Sequence, residues 1–226
     1  MTMIAANLQT VRARILAACH AAQRDPAQVG LLAVSKSFGP EAVAQAYAAG
    51  QTAFGENYIQ EAVEKMAALP GLALEWHCIG PVQSNKTRLV AESFAWVHTV
   101  DRLKIAQRLS EQRPAELPPL QICIQVNIDG GVNKSGVSPA NALTLAREVQ
   151  ALHRLRLRGL MCIPEPLAQF DAACAVFATA KKLFDAMNKA GLGLDTLSMG
   201  MSADLEAAIH AGSTLVRVGT AIFGRR

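Results

Sequence analysis

The sequence predicts an α/β protein, a single (β/α)8 TIM barrel. After a break at Asp25-Pro26 the chain repeats one order, a short apolar run and then an amphipathic helix, until eight runs have passed. Seven helices fall between those runs, and a helix ahead of the first run can take the place of the missing eighth beside the last strand. No G-x-G-x-x-G follows the first run and no composition break divides the 226 residues, which argues against a doubly wound open sheet. One domain over residues 1–226 is therefore expected.

Each element has its own signal. Ile4, Leu8, Val11, Ile15 and Leu16 recur at helical spacing, with Gln9, Arg12 and Arg14 elsewhere around the helix. Leu31 to Lys36 reads as the first strand, and Gly39-Pro40 opens a helix running toward Gly50. Ala53 to Asn57 is the second strand, followed by a helix through Val63 and Met66. The third runs from Leu74 to Gly80 with a helix around Lys86 to Ala91, and the fourth from Trp96 to Val100 with a helix from Arg102 to Glu111. Pro114, Pro118 and Pro119 mark a loop before the fifth strand, Leu120 to Ile128, and a helix follows from Ser138 to Leu152. The sixth strand is Leu155 to Ile163, with a long helix ending near Ala190-Gly191. Thr196 to Met201 is the seventh, followed by a helix from Ala203 to His210, and Leu215 to Phe223 is the eighth.

Composition excludes several classes of function. Hydrophobic residues make up 51% and charged residues 18%, with no low-complexity run, so the chain is not disordered. Lys+Arg of 22 against Asp+Glu of 18 gives +4, too weak a balance to imply nucleic acid or an acidic membrane. No stretch approaches the roughly 18 apolar residues of a membrane span. Arg12 and Arg14 interrupt any signal-peptide core. The cysteines, Cys19, Cys78, Cys123, Cys162 and Cys174, are odd in number and form no C-x-x-C pair. Buried reduced thiols in a cytoplasmic protein are expected, and no metal site.

Barrel chemistry sits at the C-terminal ends of the strands, where Lys36, Asn57, His77, Asn127, Ser198 and Arg217 fall. A lysine closing an apolar strand either reaches solvent at the barrel mouth or is held in a low dielectric, where a neutral amine attacks aldehydes. Ser198-Met199-Gly200-Met201-Ser202 and Arg217-Val218-Gly219-Thr220 lie where barrels bind phosphate, after strands seven and eight. Gly200, Ser202, Gly219 and Thr220 suit such a cradle, although the glycines equally permit tight packing. An amine facing a phosphate cradle suggests a phosphorylated carbonyl compound held as a Schiff base. His77 reads first as a hydrogen-bonded barrel residue, and Arg154, Arg156 and Arg158 as the solvated face of a strand. Gln83 to Lys86 and Asn133 to Gly136 read as ordinary surface turns.

Taken together, Val34-Ser35-Lys36, Phe54-Gly55-Glu56-Asn57-Tyr58 and Trp76-His77-Cys78-Ile79-Gly80-Pro81-Val82-Gln83-Ser84-Asn85-Lys86 occur in order. Lys134-Ser135-Gly136, Arg158-Gly159-Leu160-Met161, Ser198 to Ser202 and Arg217 to Thr220 with Ile222-Phe223-Gly224 follow them. In these motifs the chain resembles the pyridoxal phosphate homeostasis protein family over nearly its whole length. The resemblance implies a barrel similar to the N-terminal domain of alanine racemase. It implies pyridoxal 5'-phosphate bound covalently to Lys36, with Ser202, Gly219, Thr220 and the backbone around Gly200 at the phosphate. Arg217 would face the pyridine nitrogen, and Asn57 and His77 would line the ring and its phenolic side, with Ser198 in the same site. A monomer serving apo-enzymes dependent on the cofactor is implied, with no catalytic residue.

An arginine at the pyridine nitrogen disfavours its protonation and weakens the ring as an electron sink. With no residues left for a second domain and only Tyr47 and Tyr58 as tyrosines, the expectation is a carrier and not an enzyme. The alternative is a low-activity racemase or lyase with His77 or Tyr58 as second base.

Overall fold

The structure, a computed structural model, describes residues 2–131 and 134–224. Asn133 of the expected turn and the Arg225-Arg226 tail lie outside the described residues. Eight parallel strands close into a barrel in sequence order: β1 (Gly30–Val34), β2 (Ala53–Glu56), β3 (Glu75–Cys78), β4 (Trp96–Val100), β5 (Leu120–Gln125), β6 (Leu155–Met161), β7 (Thr196–Ser198) and β8 (Leu215–Val218). β8 pairs with β1, Leu32 opposite Arg217 and Ala33 opposite Val218, which closes the ring.

The crossover helices are α2 (Pro40–Ala48), α3 (Ile59–Ala67), α4 (Thr87–Ser93), α5 (Leu103–Gln112), α6 (Pro139–Gln150), α7 (Phe170–Lys189) and α8 (Leu205–His210). Except for β4, which has the expected bounds, the strands are shorter at their C-terminal ends than the apolar runs predict, because the chain leaves the ladder there to build the mouth. The largest correction concerns the last run. Thr220–Phe223 is a helical turn, α9, and not the continuation of a strand.

The N-terminal helix α1 (Met3–Ala21) does the work of an eighth crossover helix, packing against α8, α9 and α2. Ile4, Leu8, Val11, Ile15, Ala18 and Cys19 form its buried stripe. Leu16, expected on that stripe, is exposed, and Cys19 takes the inward position one turn on. Thr2 caps the helix start by accepting from the Ala5 N–H at 3.2 Å. Asn7 donates to the Ile222 carbonyl at 2.9 Å, tying α1 to α9.

Outward strand residues such as Val97, Ile122, Leu160 and Val216 join the helices in one large core. Alternation along the strands places Trp96, Cys123 and Met161 inside the barrel, where they form a separate small apolar cluster. Around them the interior is polar, with His77, His98, Ser198 and Arg217 all buried. At the β5–β6 ladder the register shifts, Ile122 facing Leu157 but Cys123 facing Gly159, so Arg158 is an extra residue. Its guanidinium lies 4.7 Å over the Trp96 ring and pairs with Asp195 at 2.8 Å. The expected solvated arginine face therefore holds for Arg154 and Arg156 and not for Arg158.

Candidate functional site

At the C-terminal mouth a cavity of about 300 Å³ opens between the ends of β1, β2, β7 and β8. Lys36, Asn57, Ser202, Arg217, Gly219 and Thr220 line it, six of the nine residues expected there. Phe38, Ile79, Ile163 and Met201 supply apolar walls, and Phe38 is fixed by stacking on Phe223 at 5.2 Å.

Lys36 stands on a tight turn just past β1, exposed at the barrel mouth and lining the cavity. The turn is held rigidly from below. Phe38 N–H donates to the Ser35 carbonyl at 3.1 Å, and Ser37, in the left-handed region at φ 69°, donates its N–H to Glu61 at 2.8 Å. Beneath it Ser35 donates its hydroxyl to Glu56 Oε1 at 2.6 Å. Lys65 spends its three hydrogens on Glu56 at 2.5 Å, the Ser35 carbonyl at 3.0 Å and Glu61 at 3.3 Å. Glu56 and Lys65 are buried, and burial raises the Glu56 pKa against the opposing pull of Lys65 and Ser35. Nothing in the sequence marked this buttress, since Lys65 reads as an ordinary basic residue near a helix C-terminus.

Across the cavity Gly200, at φ 91°, sends the chain from β7 into a turn that brings Ser202 to the rim. A Cβ at Gly200 would stand 2.4 Å from that of Ala208, so the position accepts only glycine. Asp204 accepts from the Met201 N–H at 2.6 Å, and Arg14 from α1 donates to the Ser202 carbonyl at 3.0 Å. Gly219 and Thr220 begin α9, whose first N–H groups have no partner within the helix.

Arg217 forms the floor. Nη1 donates to the Ser198 carbonyl at 2.7 Å and hydroxyl at 2.8 Å, and Nη2 to the Cys162 carbonyl at 2.9 Å. Two of its five N–H groups remain for a ligand. Burial pulls its pKa down from the ordinary value, but a guanidinium stays charged.

Three expected residues do not line the cavity. Ser198 lies behind Arg217 as its support, and Gly200 shapes the turn without reaching the space. His77 requires a larger correction, because its ring points into the barrel toward the opposite end and bonds to His98 and Glu75. Asn127, also expected at a strand end, donates to the Gly131 carbonyl in the loop after β5. Lys134 is paired with Asp129 at 2.6 Å and Glu165 at 3.1 Å.

The lining fits a phosphorylated aldehyde. The Lys36 side chain shares the cavity with Ser202 and Thr220, at the start of α9, among apolar walls. Asn57 lines the slot, and its Oδ1 is buried with no hydrogen-bond partner, a polar group still awaiting a ligand. Among the described residues no cluster of His, Cys, Asp or Glu could hold a metal, and no helix is long and apolar enough to cross a membrane.

Known proteins share this sequence and fold. The family model for the alanine racemase N-terminal domain matches residues 4–226. A pyridoxal phosphate homeostasis protein of Pseudomonas aeruginosa is 61% identical over 226 residues, covering 100% of this chain and 97% of that protein. The protein of the same name from Escherichia coli K12 is 52% identical over 229 residues, covering 100% and 98%. The structure of PipY from Synechococcus elongatus with pyridoxal phosphate bound is 37% identical, with a TM-score of 0.85 over 98% of this chain and 100% of that one. Alanine racemase of Corynebacterium glutamicum, 18% identical with a TM-score of 0.73, shares the fold over 99% of this chain and 60% of its own.

Proposed function

The chain belongs to the pyridoxal phosphate homeostasis protein family, built on the alanine racemase N-terminal domain, and from that premise we propose that it is a reversible carrier of pyridoxal 5'-phosphate. The observation that carries the reading is the cavity itself, lined together by Lys36, Ser202, Gly219, Thr220 and Arg217. Lys36 would hold the cofactor through its aldehyde as a Schiff base, with loss of one water. Bound there, the cofactor would supply a conjugated ring able to withdraw electrons from an amino group attached to it.

The chain's own residues limit that chemistry. Ser202, Thr220 and the N–H groups at the start of α9 bind the phosphate, which the turn built on Gly200 and Asp204 preorganises. Arg217 presents a fixed positive donor to the pyridine nitrogen, and a permanent cation there opposes a second proton. Asn57 serves the phenolic oxygen. A two-base racemase needs a base on each face of the reacting carbon, and Lys36 could supply only one. Lys36 and Arg217 are the only titratable side chains lining the cavity among the described residues, and neither His77 nor Tyr58 lines it. This supports storage and hand-over to apo-enzymes over two-base racemisation. Five cysteines outside any disulfide suit a reducing compartment, in keeping with a monomeric cytoplasmic carrier.

The test is an absorbance titration of the purified protein with pyridoxal 5'-phosphate, then borohydride reduction and peptide mapping. The expected result is a visible band that reduction fixes on the Lys36 peptide and that Lys36→Ala abolishes. Cofactor spread over surface lysines, or none retained, would overturn the assignment. Deuterium exchange at Cα of added L-amino acids, well above the rate with free cofactor, would favour an enzyme instead.

A further inference from the structure

Behind the cavity floor an unbroken line of hydrogen bonds runs down the barrel axis to the opposite face. Arg217 Nη1 lies 2.8 Å from Ser198 Oγ, Ser198 Oγ 3.0 Å from His98 Nδ1, His98 Nε2 2.9 Å from His77 Nδ1, and His77 Nε2 2.9 Å from Glu75 Oε1. The two histidines, Ser198 and Arg217 are buried, whereas the Glu75 side chain is half-exposed at the N-terminal end of β3. His77 is clamped flat against Trp96, the rings 5.1 Å apart and 8° from parallel.

The two ends decide which way every proton points. An arginine only donates and a carboxylate only accepts. The hydrogen bond from His77 holds the Glu75 carboxyl below its usual range, so it is ionised and His77 carries hydrogen on Nε2. A neutral His77 then has a bare Nδ1, which must accept from Nε2–H of His98. His98 Nδ1 is bare in turn and accepts the Ser198 hydroxyl hydrogen. That leaves the Ser198 oxygen lone pairs turned to Arg217. Every donor and acceptor along the line is satisfied in this one arrangement. A protonated His77 would reverse His98, leave the Ser198 hydrogen without an acceptor, and add a cation to an interior that already holds Arg217 and borders Arg158.

We propose that Glu75, His77 and His98, acting through Ser198, are positioning residues: a one-directional hydrogen-bond chain that fixes both histidines as neutral Nε2–H tautomers and so aims the Arg217 guanidinium at the cavity. Its consequence for the cofactor rests on the carrier reading, in which Arg217 meets the pyridine nitrogen. Burial, which lowers both histidine pKa values, that of His98 most strongly, works in the same direction. The charged groups that act on the pair are Glu75 from β3 and Arg217 from β8; Arg158 from β6 lies over the Trp96 ring that stacks on His77 and is itself paired with Asp195.

The test uses the full chain. Long-range ¹⁵N–¹H correlation spectra without cofactor report which ring nitrogen carries hydrogen. The expected result is Nε2–H with bare Nδ1 on both histidines and no titration between about pH 5.5 and 8.5, across the ordinary histidine range. Hydrogen on Nδ1, or ordinary titration, overturns the chain. Cofactor affinity then tests the positioning. His98→Phe can neither accept from Ser198 nor donate to His77, and should weaken pyridoxal 5'-phosphate binding by about tenfold or more. His98→Gln, whose amide can do both, should recover most of the loss. Ser198→Ala, a one-atom deletion that keeps the packing, should weaken binding like His98→Phe and serves if that variant does not fold. Wild-type affinity in His98→Phe and Ser198→Ala overturns the positioning role. If the wild type holds no cofactor, the carrier reading falls and the Arg217 side-chain N–H resonances decide. They must move in His98→Phe and stay in His98→Gln, and no movement overturns the proposal.

Discussion

Replacing Lys65 by methionine removes the ammonium that anchors the Lys36 turn while keeping a long apolar stem. Three acceptors lose a donor at once: Glu56 Oε1, the Ser35 carbonyl and Glu61 Oε1. Side-chain exposure is 3% at Lys65 and 0% at Glu56, so water cannot take the place of the ammonium. Glu56 Oε2 is already without a partner. Breaking a buried pair from one side costs about 3–5 kcal/mol, which for a chain of this size corresponds to a fall in Tm of roughly 6–20 °C.

The loss carries a pH signature. Burial already raises the Glu56 pKa in the folded protein, and the two contributions of Lys65 that lower it disappear in the variant. Its carboxyl then keeps a proton that the unfolded chain, titrating near about 4.3, has released. A raised folded pKa means that the contribution is favourable below the unfolded value and is lost as pH rises through the folded value. Lys65→Met should therefore lose much less stability at pH 5 than at pH 8, and Lys65→Met with Glu56→Gln should regain a large part of the loss at pH 8. Urea unfolding at both pH values, compared through the midpoint at constant slope, measures this. An equal loss at pH 5 and pH 8 would refute the assignment of the cost to a stranded carboxylate.

Two further predictions are independent of that pair. A Cβ at Gly80 would stand 2.0 Å from the Asn57 carbonyl oxygen, a backbone atom that cannot swing aside. Gly80→Ala should cost about 1–3 kcal/mol and, by displacing Asn57, weaken cofactor retention, so unchanged melting and affinity would contradict the close approach. Burial pushes the thiols of Cys78, Cys123 and Cys162 up to about 12, and only Cys174 is not fully buried. A thiol reagent at pH 8 should label Cys174 first in the native protein and the other four only in denaturant; rapid native labelling of Cys162, next to Arg217, would show the interior to be open.

The sequence alone determined the barrel and most of the polar lining of the cavity. Periodicity is a local property, and the count of apolar runs, the helix before the first and the polar residues after strands one, seven and eight can all be read without partners. Hence Lys36, Ser202, Gly219 and Thr220 were legible, and Arg217 with them. Depth within the barrel was not. A strand residue tells which face it occupies only once the register is known, and the β6 bulge at Arg158 shifts that register without a sequence mark. His77 read from its residues as a hydrogen-bonded barrel residue, which it is, and only its place near a strand end and the family resemblance put it at the mouth; His98, inside Trp96-Val97-His98-Thr99-Val100, gave no sign of its neighbours. Glu56 and Lys65 lie nine positions apart on a strand and a helix, a spacing with no local meaning. Only closure of the sheet brings them under Ser35. Tertiary structure decided these pairings because a buried charge needs a partner in space, and chain neighbours do not supply one.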